Sequence, residues 1–259
     1  ASSGIGRALA VAAAGSGAQL VLSGRNRERL TEVAELCEVA RRGSARGDDS
    51  TAELLPFDIA DPEARRRAVE EIGEPLHGLI NNAGVSQRSL AESTRPDVYR
   101  RLFQTNLESA VELTLGVIPK LRRVGGGRIA AVSSIAGELY GPQRSGYGAT
   151  KAGMNAFFYS LRSELWESGI PVTVVIPGFI RTEVSRNALT GEGGNYGVMD
   201  EIQANGMEPE AAAARILTAI EAGSRNCRVG MTPKLWYGLL VRTIAPGLFD
   251  RVMRTAKVT

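Results

Sequence analysis

Short apolar runs of strand length alternate with helical segments along this chain, about every 25–30 residues, which is typical of βα units around a parallel sheet. The runs are rich in Val, Ile, Leu and Ala, as in parallel strands that are buried on both faces. Right-handed crossovers would place helices on both sides of that sheet. The predicted strands cover residues 18–23, 51–57, 77–81, 128–133, 170–176 and 226–230.

The segments between these runs carry the periodicity and the end signals of helices. Asp61 followed by Pro62 is a typical N-cap and first helical position. No repeat, low-complexity tract or linker interrupts the pattern. Residues 1–259 are therefore predicted to form one α/β domain, a doubly wound parallel sheet of Rossmann type. The other predicted helices cover residues 5–14, 26–41, 96–122, 145–168 and 208–222.

Residue counts exclude several kinds of site. One histidine, His77, excludes a multi-histidine metal site, and two cysteines, Cys37 and Cys227, cannot form a four-cysteine zinc site or a disulfide framework. We therefore expect no metal and a reducing compartment, the cytoplasm. The net charge of +3 comes from scattered basic residues, so we expect no nucleic-acid partner.

The chain opens with a glycine-rich loop, Ser3-Gly4-Ile5-Gly6, which leads into the first predicted helix. Glycines at this place allow a tight turn and let a phosphate approach the N–H groups of the helix start. An ordinary glycine-rich turn explains the same four residues. The loop alone therefore leaves a phosphate site and a simple turn as alternatives.

In a doubly wound dinucleotide fold, the strand after the first helix ends beside the adenosine ribose. Here that strand ends at Leu22-Ser23-Gly24-Arg25-Asn26, which contains Arg25 and no acidic residue. Because arginine pairs with a 2′-phosphate, this strand end favours NADP(H) over NAD(H). A solvated arginine is the alternative. Asn82-Ala83-Gly84 follows a later strand with small residues that would let a ligand lie close, or that form an ordinary turn.

The most specific set of residues is Ser134, Tyr147 and Lys151. Ser134 ends a predicted strand, and Tyr147 and Lys151 lie four residues apart on one face of the next helix. A lysine ammonium favours the phenolate of a neighbouring tyrosine, and a serine hydroxyl can bind a substrate oxygen. Together they predict proton transfer to a carbonyl or alcohol oxygen, whereas a surface helix pair is the alternative for the Tyr-Lys spacing alone.

Five ordered motifs make the chain resemble the short-chain dehydrogenase/reductase family over almost its whole length. They are the Ala1-Ser2-Ser3-Gly4-Ile5-Gly6 opening, Asn81-Asn82-Ala83-Gly84, Thr105-Asn106, the Ser134/Tyr147/Lys151 set, and Pro177-Gly178 followed by Thr182. The resemblance implies an NADP(H)-dependent oxidoreductase that acts on a carbonyl/alcohol pair. It also implies a small-molecule substrate and a homodimer or homotetramer.

The resemblance assigns a role to each motif residue. Tyr147 would be the catalytic acid-base, Ser134 would orient the substrate oxygen, Lys151 would bind the nicotinamide ribose and tune Tyr147, and Asn106 would hold a water of the proton relay. The strand end contributes Arg25 and Asn26 to the predicted cofactor contacts. The contacts that the resemblance implies are Ser2, Ser3, Ile5, Asp58, Ile59, Asn82, Ala83, Gly84, Tyr147, Lys151, Pro177, Gly178, Ile180 and Thr182.

A narrower similarity, to the member 7 and 7B group of the family, rests on residues 187–200 and 245–249. It implies lipophilic carbonyl substrates, including steroid- or retinoid-like ones, and an N-terminal membrane segment that this sequence does not contain. The Thr-Gly pair and the central first strand that open the family's phosphate loop are also absent. We therefore expect an N-terminally truncated chain that lacks the first strand, with membrane association if the preceding segment is an anchor.

Two segments depart from the βα rhythm. Residues 185–207, rich in Gly, Asn and Ser, are predicted to be a loop that closes over the substrate. Residues 234–256 mix apolar and basic side chains and are predicted to pack over the cleft or at a subunit interface, or to contact a membrane surface. Two other functions stay open: an epimerase or dehydratase that uses the same tyrosine, and a non-catalytic NADP(H)-binding scaffold.

Overall fold

The computed structural model describes residues 1–43 and 51–254. Residues 255 and 256 of the predicted tail lie outside the described residues. The strands are β1 (Val21–Gly24), β2 (Glu53–Pro56), β3 (Gly78–Asn81), β4 (Arg128–Val132), β5 (Val172–Pro177) and β6 (Asn226–Val229). Five lie within one or two residues of the predicted runs, and β1 begins three residues later than predicted. Continuous apolar segments between turn signals fix strand positions locally.

The predicted helices are present in the predicted order, and the described residues contain three further helices, one within 185–207 and two in the tail. The helices are α1 (Gly4–Gly15), α2 (Arg27–Arg42), α3 (Pro62–Glu71), α4 (Pro96–Phe103), α5 (Ser109–Arg123), α6 (Ser145–Glu164), α7 (Glu201–Ala204), α8 (Pro209–Glu221), α9 (Pro233–Ile244) and α10 (Pro246–Arg254). A π-helical segment, Gln104–Glu108, joins α4 to α5, so the long helix predicted over 96–122 is interrupted near its middle. Asn106 lies in this segment, and such segments are frequent at functional sites.

The strands are parallel but form two sheets instead of the single sheet expected. β1 pairs with β2, and β3 to β6 form a four-stranded sheet in chain order. β1 and β3 do not pair with each other, and the first residues of the chain lie at the carboxyl ends between them. Ala1 N donates to Ser23 O. A Cβ at Gly6 would lie 2.5 Å from Asn82 Nδ2 and 3.4 Å from Ala1 Cα.

Helices cover both faces of the four-stranded sheet, which is the doubly wound arrangement that the sequence predicts. Alternate strand residues point to opposite sides. Ile129, Ala131 and Val174 enter a core with α5 and α6, whereas Val132 and Val175 enter a second core with α1 and α8. A third apolar cluster lies between α1, α2 and β1. The chain is therefore a single α/β domain whose polar strand ends share one edge.

The described parts of the two segments that depart from the βα rhythm both contain bridges or helices. Within residues 185–207, Leu189 forms a parallel bridge with Gln87 and an antiparallel bridge with Asn195, and α7 follows. The expected loop is thus largely a turn and a short helix. The tail forms α9 and α10. Across the described residues, no helix has both the length and the apolar character required to cross a membrane.

Candidate active site

A cleft of about 470 Å³ opens at the carboxyl ends of the strands. This is the edge at which doubly wound folds bind their ligands, because loops from neighbouring strands diverge there. Most of the residues selected from the sequence line it. They are Ser2, Ser3, Ile5, Arg25, Asp58, Ile59, Asn82, Ala83, Gly84, Ser134, Tyr147, Lys151, Pro177, Gly178, Ile180 and Thr182.

Ser134, Tyr147 and Lys151 lie together on one wall of this cleft. Ser134 follows β4, and its Oγ accepts a hydrogen bond from Ala136 N at 3.1 Å, which fixes the start of a 3₁₀ turn. Lys151 Nζ donates to Val132 O at 2.9 Å and lies 6.0 Å from the centre of the Tyr147 ring. All three side chains are buried at the wall. The strand end and the helix turn thus bring the hydroxyl, phenol and ammonium together.

Burial controls the acidity of this set. Burial raises the pKa of the Tyr147 phenol, and hydrogen bonding by Ser134 and the charges of Arg144 and Arg88 only partly oppose that shift. This differs from the expected lowering of the Tyr147 pKa by Lys151, because loss of hydration outweighs the neighbouring charges. Burial also lowers the pKa of Lys151 to about 8. The phenol is therefore held in its protonated form, as suits a proton donor.

Two of the predicted site residues do not line the cleft. Asn26 caps α2, where its Oδ1 accepts from Arg29 N at 2.9 Å. Asn106 is fully buried: its Oδ1 accepts from Val85 N at 2.8 Å, and its Nδ2 donates to Val85 O at 2.9 Å and to Thr150 Oγ1 at 3.0 Å. Asn106 therefore connects the segment after β3 to the helix that carries Tyr147.

Several backbone features fit a dinucleotide. Ser3 precedes α1 without forming a side-chain cap, and the start of α1 lines the cleft with Ser2, Ser3, Gly4 and Ile5. The N–H groups of a helix start favour a phosphate. Gly4 has a positive φ of 53°, and a Cβ there would lie 3.1 Å from Thr182 Cγ2. A Cβ at Gly84 would lie 3.4 Å from Lys151 Nζ. The absence of a Cβ at Gly4 and Gly84 thus leaves space beside Thr182 and Lys151 in the cleft wall.

Basic side chains lie at the end of the cleft next to β1. Arg25 follows that strand, and Arg29 from the first turn of α2 lines the same wall. Both arginines are exposed, so their charge is accessible to a ligand. Asp58 and Ile59, which follow β2, form the neighbouring part of the wall. The sequence indicated Arg25, whereas Arg29 becomes apparent only once the helix places it beside the strand end.

The structure adds a charged cluster that the sequence did not indicate. Arg88, which follows β3, forms a buried ion pair with Asp200, and Arg144 Nη2 lies 3.4 Å from the same carboxylate. Ser185 Oγ donates to Asp200 Oδ2 at 3.1 Å. Arg88 and Arg144 line the cleft beside Tyr147. No sequence signal connects Arg88 to Asp200, because 112 residues separate them.

These features place the chain in the short-chain dehydrogenase/reductase family. A family model described as short chain dehydrogenase matches residues 1–193. The chain belongs to this family of oxidoreductases, whose fold binds a nicotinamide cofactor and a small-molecule substrate. The predicted family resemblance and fold class are therefore confirmed.

Particular relatives are similar over almost the whole chain. Dehydrogenase/reductase SDR family member 7B of Bos taurus is 40% identical over 256 residues, which cover 98% of this chain and 78% of the bovine protein. The dehydrogenase/reductase SDR family protein 7-like of Drosophila melanogaster is 37% identical over 261 residues, which cover 98% of this chain and 77% of the Drosophila protein.

Solved structures of the family are also similar. A short-chain dehydrogenase from Sphingobium yanoikuyae, in complex with NADPH, has a TM-score of 0.75 and 27% identity; the match covers 100% of this chain and 94% of that one. A short-chain dehydrogenase from Streptomyces avermitilis has a TM-score of 0.77 and 26% identity; the match covers 98% of this chain and 95% of that one.

Proposed function

We propose that this protein is an NADP(H)-dependent oxidoreductase that interconverts a carbonyl and a secondary alcohol on a lipophilic substrate. The observation that carries the proposal is the meeting of Ser134, Tyr147 and Lys151 on one wall of the cleft at the carboxyl ends of the strands. Proton transfer to a carbonyl oxygen needs an acid and a hydrogen-bond donor at one point, and Tyr147 and Ser134 supply them.

In the reductive direction, Tyr147 donates its proton to the substrate oxygen while Ser134 stabilises the developing negative charge. The raised pKa of Tyr147 keeps that proton on the phenol at neutral pH. Lys151 is fixed by its bond to Val132 O and stabilises the phenolate that proton donation leaves behind. NADPH, when bound, supplies the hydride. The reverse direction uses Tyr147 as the base.

The cofactor contacts are proposed from the cleft lining. Ser2, Ser3 and Ile5 at the start of α1 would bind the diphosphate through N–H groups and hydroxyls. Arg25, with Arg29 beside it, would pair with the 2′-phosphate of NADP(H). The further contacts proposed are Asp58, Ile59, Asn82, Ala83, Gly84, Lys151, Pro177, Gly178, Ile180 and Thr182. The NADPH complex of the Sphingobium relative supports this choice of cofactor.

The acid-base assignment is tested by Tyr147→Phe, with a panel of lipophilic ketones and aldehydes and NADPH consumption as the assay. We expect turnover to fall at least about 10²-fold, as for loss of a general acid, while NADPH still binds. Tyr159→Phe is the matched control, because Tyr159 lies on the same helix but packs against the core cluster away from the cleft. Near-normal turnover in Tyr147→Phe would reject the mechanism.

The cofactor choice is tested by Arg25→Ala. We expect the ratio of the NADH to the NADPH dissociation constant to fall about tenfold or more, since a charge-assisted pair to the 2′-phosphate is lost. Arg27→Ala is the control: Arg27 is exposed, begins α2 and does not line the cleft. An unchanged ratio in Arg25→Ala would contradict the preference for NADP(H).

Residues 185–207 are proposed to close over the substrate, because Ser185, Asn187 and Leu189 already line the cleft. This proposal predicts that added NADPH and substrate protect the segment from proteolysis, and equal cleavage with and without them would contradict it. A homodimer or homotetramer remains the expected assembly. Light scattering coupled to gel filtration tests that expectation, and a monomer would contradict it.

The tail is proposed to contact an anionic membrane surface. On α9, Tyr237, Leu240 and Ile244 form one exposed apolar stripe, with Ile244 70% exposed, and Lys234 on α9 and Arg251 on α10 add positive charge. Flotation with vesicles containing phosphatidylserine tests this. We expect binding by the wild type that Ile244→Glu weakens, and equal partitioning of both proteins would contradict it.

A further inference from the structure

The helix that carries Tyr147 lacks a cap of its own. Arg144 occupies the N-cap position of α6 and makes no side-chain cap bond, and the first turn holds no acidic residue. The first turn also contains Gly146 and Gly148, and glycine is among the residues least favourable to a helix. The local sequence therefore stabilises the start of α6 only weakly. Tyr147 is the third residue of this helix, so its position depends on that start.

Gln87, from the segment after β3, supplies the missing cap. Its Oε1 accepts hydrogen bonds from Gly146 N at 2.8 Å and from Tyr147 N at 3.2 Å. The side chain is completely buried, with 0% exposure. Helix N–H groups that are buried at this depth cannot hydrogen-bond to water. Gln87 is therefore their acceptor, in place of a local Ser, Thr, Asp or Asn.

Two hydroxyl groups fix the orientation of the Gln87 amide. Its Nε2 donates to Ser89 Oγ and to Thr94 Oγ1, each at 3.2 Å. Thr94 Oγ1 in turn donates to Leu90 O at 2.6 Å. A flipped amide would set its NH₂ group against the N–H groups of Gly146 and Tyr147. The network therefore assigns the oxygen to the helix.

The backbone around Gln87 is held on both sides. Asn106 binds both the N–H and the C=O of Val85. On either side of Gln87, Leu189 N donates to Ser86 O and Arg88 N donates to Leu189 O, both at 2.8 Å. Because these hydrogen bonds hold the backbone before and after position 87, a side chain there can fix the helix start that it contacts.

We propose that Gln87 is a positioning residue that sets Tyr147 in its reactive place by capping α6 from another part of the chain. The inference rests on the proposed function, since it assigns Gln87 a role in proton donation by Tyr147. Gln87 does not line the cleft, so it acts through the helix and not on the substrate. Lys151, one turn further into α6, is held separately by Val132 O.

Three variants test the cap. Gln87→Met keeps the length and burial of the side chain but removes the acceptor. Gln87→Asn keeps an amide that is too short to reach α6, and serves if the Met variant does not fold. Gln87→Glu keeps an acceptor oxygen for the two N–H groups, and its negative charge suits a helix N-terminus. The matched control is Thr232→Val, which removes the side-chain cap of α9, where Thr232 Oγ1 accepts from Leu235 N.

The first readout is amide hydrogen exchange, which does not depend on catalysis. In Gln87→Met or Gln87→Asn we expect exchange at Gly146 and Tyr147 to become at least about tenfold faster, while the amide of Lys151 stays protected. In Gln87→Glu and Thr232→Val these amides should exchange as in the wild type. Unchanged exchange at Gly146 and Tyr147 in Gln87→Met and Gln87→Asn would overturn the proposed cap.

The second readout is steady-state kinetics with the best carbonyl substrate found for the wild type. We expect kcat to fall about 10- to 100-fold in Gln87→Met, because a small displacement of a reacting group is costly, with KM and the NADPH dissociation constant within about threefold. Gln87→Glu should recover most of this loss. A normal kcat in Gln87→Met, or a Glu variant as slow as the Met variant, would refute the positioning role.

The two experiments separate the inference from the function on which it rests. If the wild type turns over no carbonyl substrate, the proposed function fails. The exchange data then still decide whether Gln87 caps α6. If the wild type is active and Tyr147→Phe is inactive, but Gln87→Met is as active as the wild type, only the role of Gln87 is wrong.

Discussion

The buried ammonium of Lys151 should cost this protein folding stability. Its side chain is 3% exposed, and burial lowers its pKa from 10.5 to about 8. Each factor of ten in a protonation equilibrium corresponds to about 1.4 kcal/mol. Protonated Lys151 therefore destabilises the folded state by about 3 kcal/mol at neutral pH.

Lys151→Met removes this charge and keeps the chain length of the side chain. The variant also loses the hydrogen bond from Nζ to Val132 O, which costs about 1 kcal/mol. We expect the free energy of unfolding to increase by about 2 kcal/mol at pH 7, which corresponds to about 4–8 °C in Tm for a domain of this size. Turnover should be lost in the same variant.

The pH dependence gives the sharper test. Below about pH 8 Lys151 is protonated in both states, so the destabilisation is fully present. Between pH 8 and 10.5 the unfolded chain binds more protons than the folded one, so the wild type gains stability as pH rises. The excess in the free energy of unfolding of Lys151→Met over the wild type should therefore decrease between pH 8 and 10.5.

Urea unfolding from pH 7 to pH 10.5 measures the difference in the free energy of unfolding between Lys151→Met and the wild type. Lys234→Met is the control, since Lys234 is exposed and its replacement should change stability by no more than about 0.5 kcal/mol. A Lys151→Met variant no more stable than the wild type at pH 7 would refute the reasoning. So would an advantage that stays constant up to pH 10.5.

Three further perturbations test the packing around the site. Asp200→Asn leaves the buried Arg88 without its ion-pair partner and should cost about 3–5 kcal/mol in urea unfolding, and a loss below about 1 kcal/mol would contradict the buried pair. Phe158→Ala, at a fully buried position in the core that contains α5 and α6, should cost about 3–5 kcal/mol by the same assay, whereas a near-neutral effect would contradict its packing. Gly126→Ala should lower Tm, because Gly126 has φ +110° and a Cβ there would lie 2.8 Å from Gly169 O; an unchanged Tm would argue against this backbone conformation.

The order of the elements, and the grouping of Ser134, Tyr147 and Lys151 that we propose as the catalytic set, could be predicted from the sequence. Each strand is a continuous apolar run between turn signals, so its position depends on nearby residues. Tyr147 and Lys151 share a helix face because of their spacing of four, and that relation holds in any α-helix. Ser134 could be added because it ends a strand whose carboxyl end had to lie at the same edge of the sheet.

The division into two sheets could not be predicted in this way. The apolar runs show where strands form, but they do not show which strands pair. Strand pairing is decided by contacts between segments that are far apart in the chain, as for Val21 with Glu53. Asn106 is a related case: its motif was visible, but its bonds to Val85 and Thr150 depend on how the π-helical segment packs.

The sequence by itself determined the strands, most of the helices and the residue types that meet at the cleft, because periodicity, capping and turn preferences act over a few residues. The tertiary structure alone decided which distant groups became partners. Gln87 reaches Tyr147 across 60 residues, and Arg88 reaches Asp200 across 112. It also decided that burial raises the pKa of Tyr147 although cationic groups lie nearby, because hydration is lost only once the surrounding chain has packed.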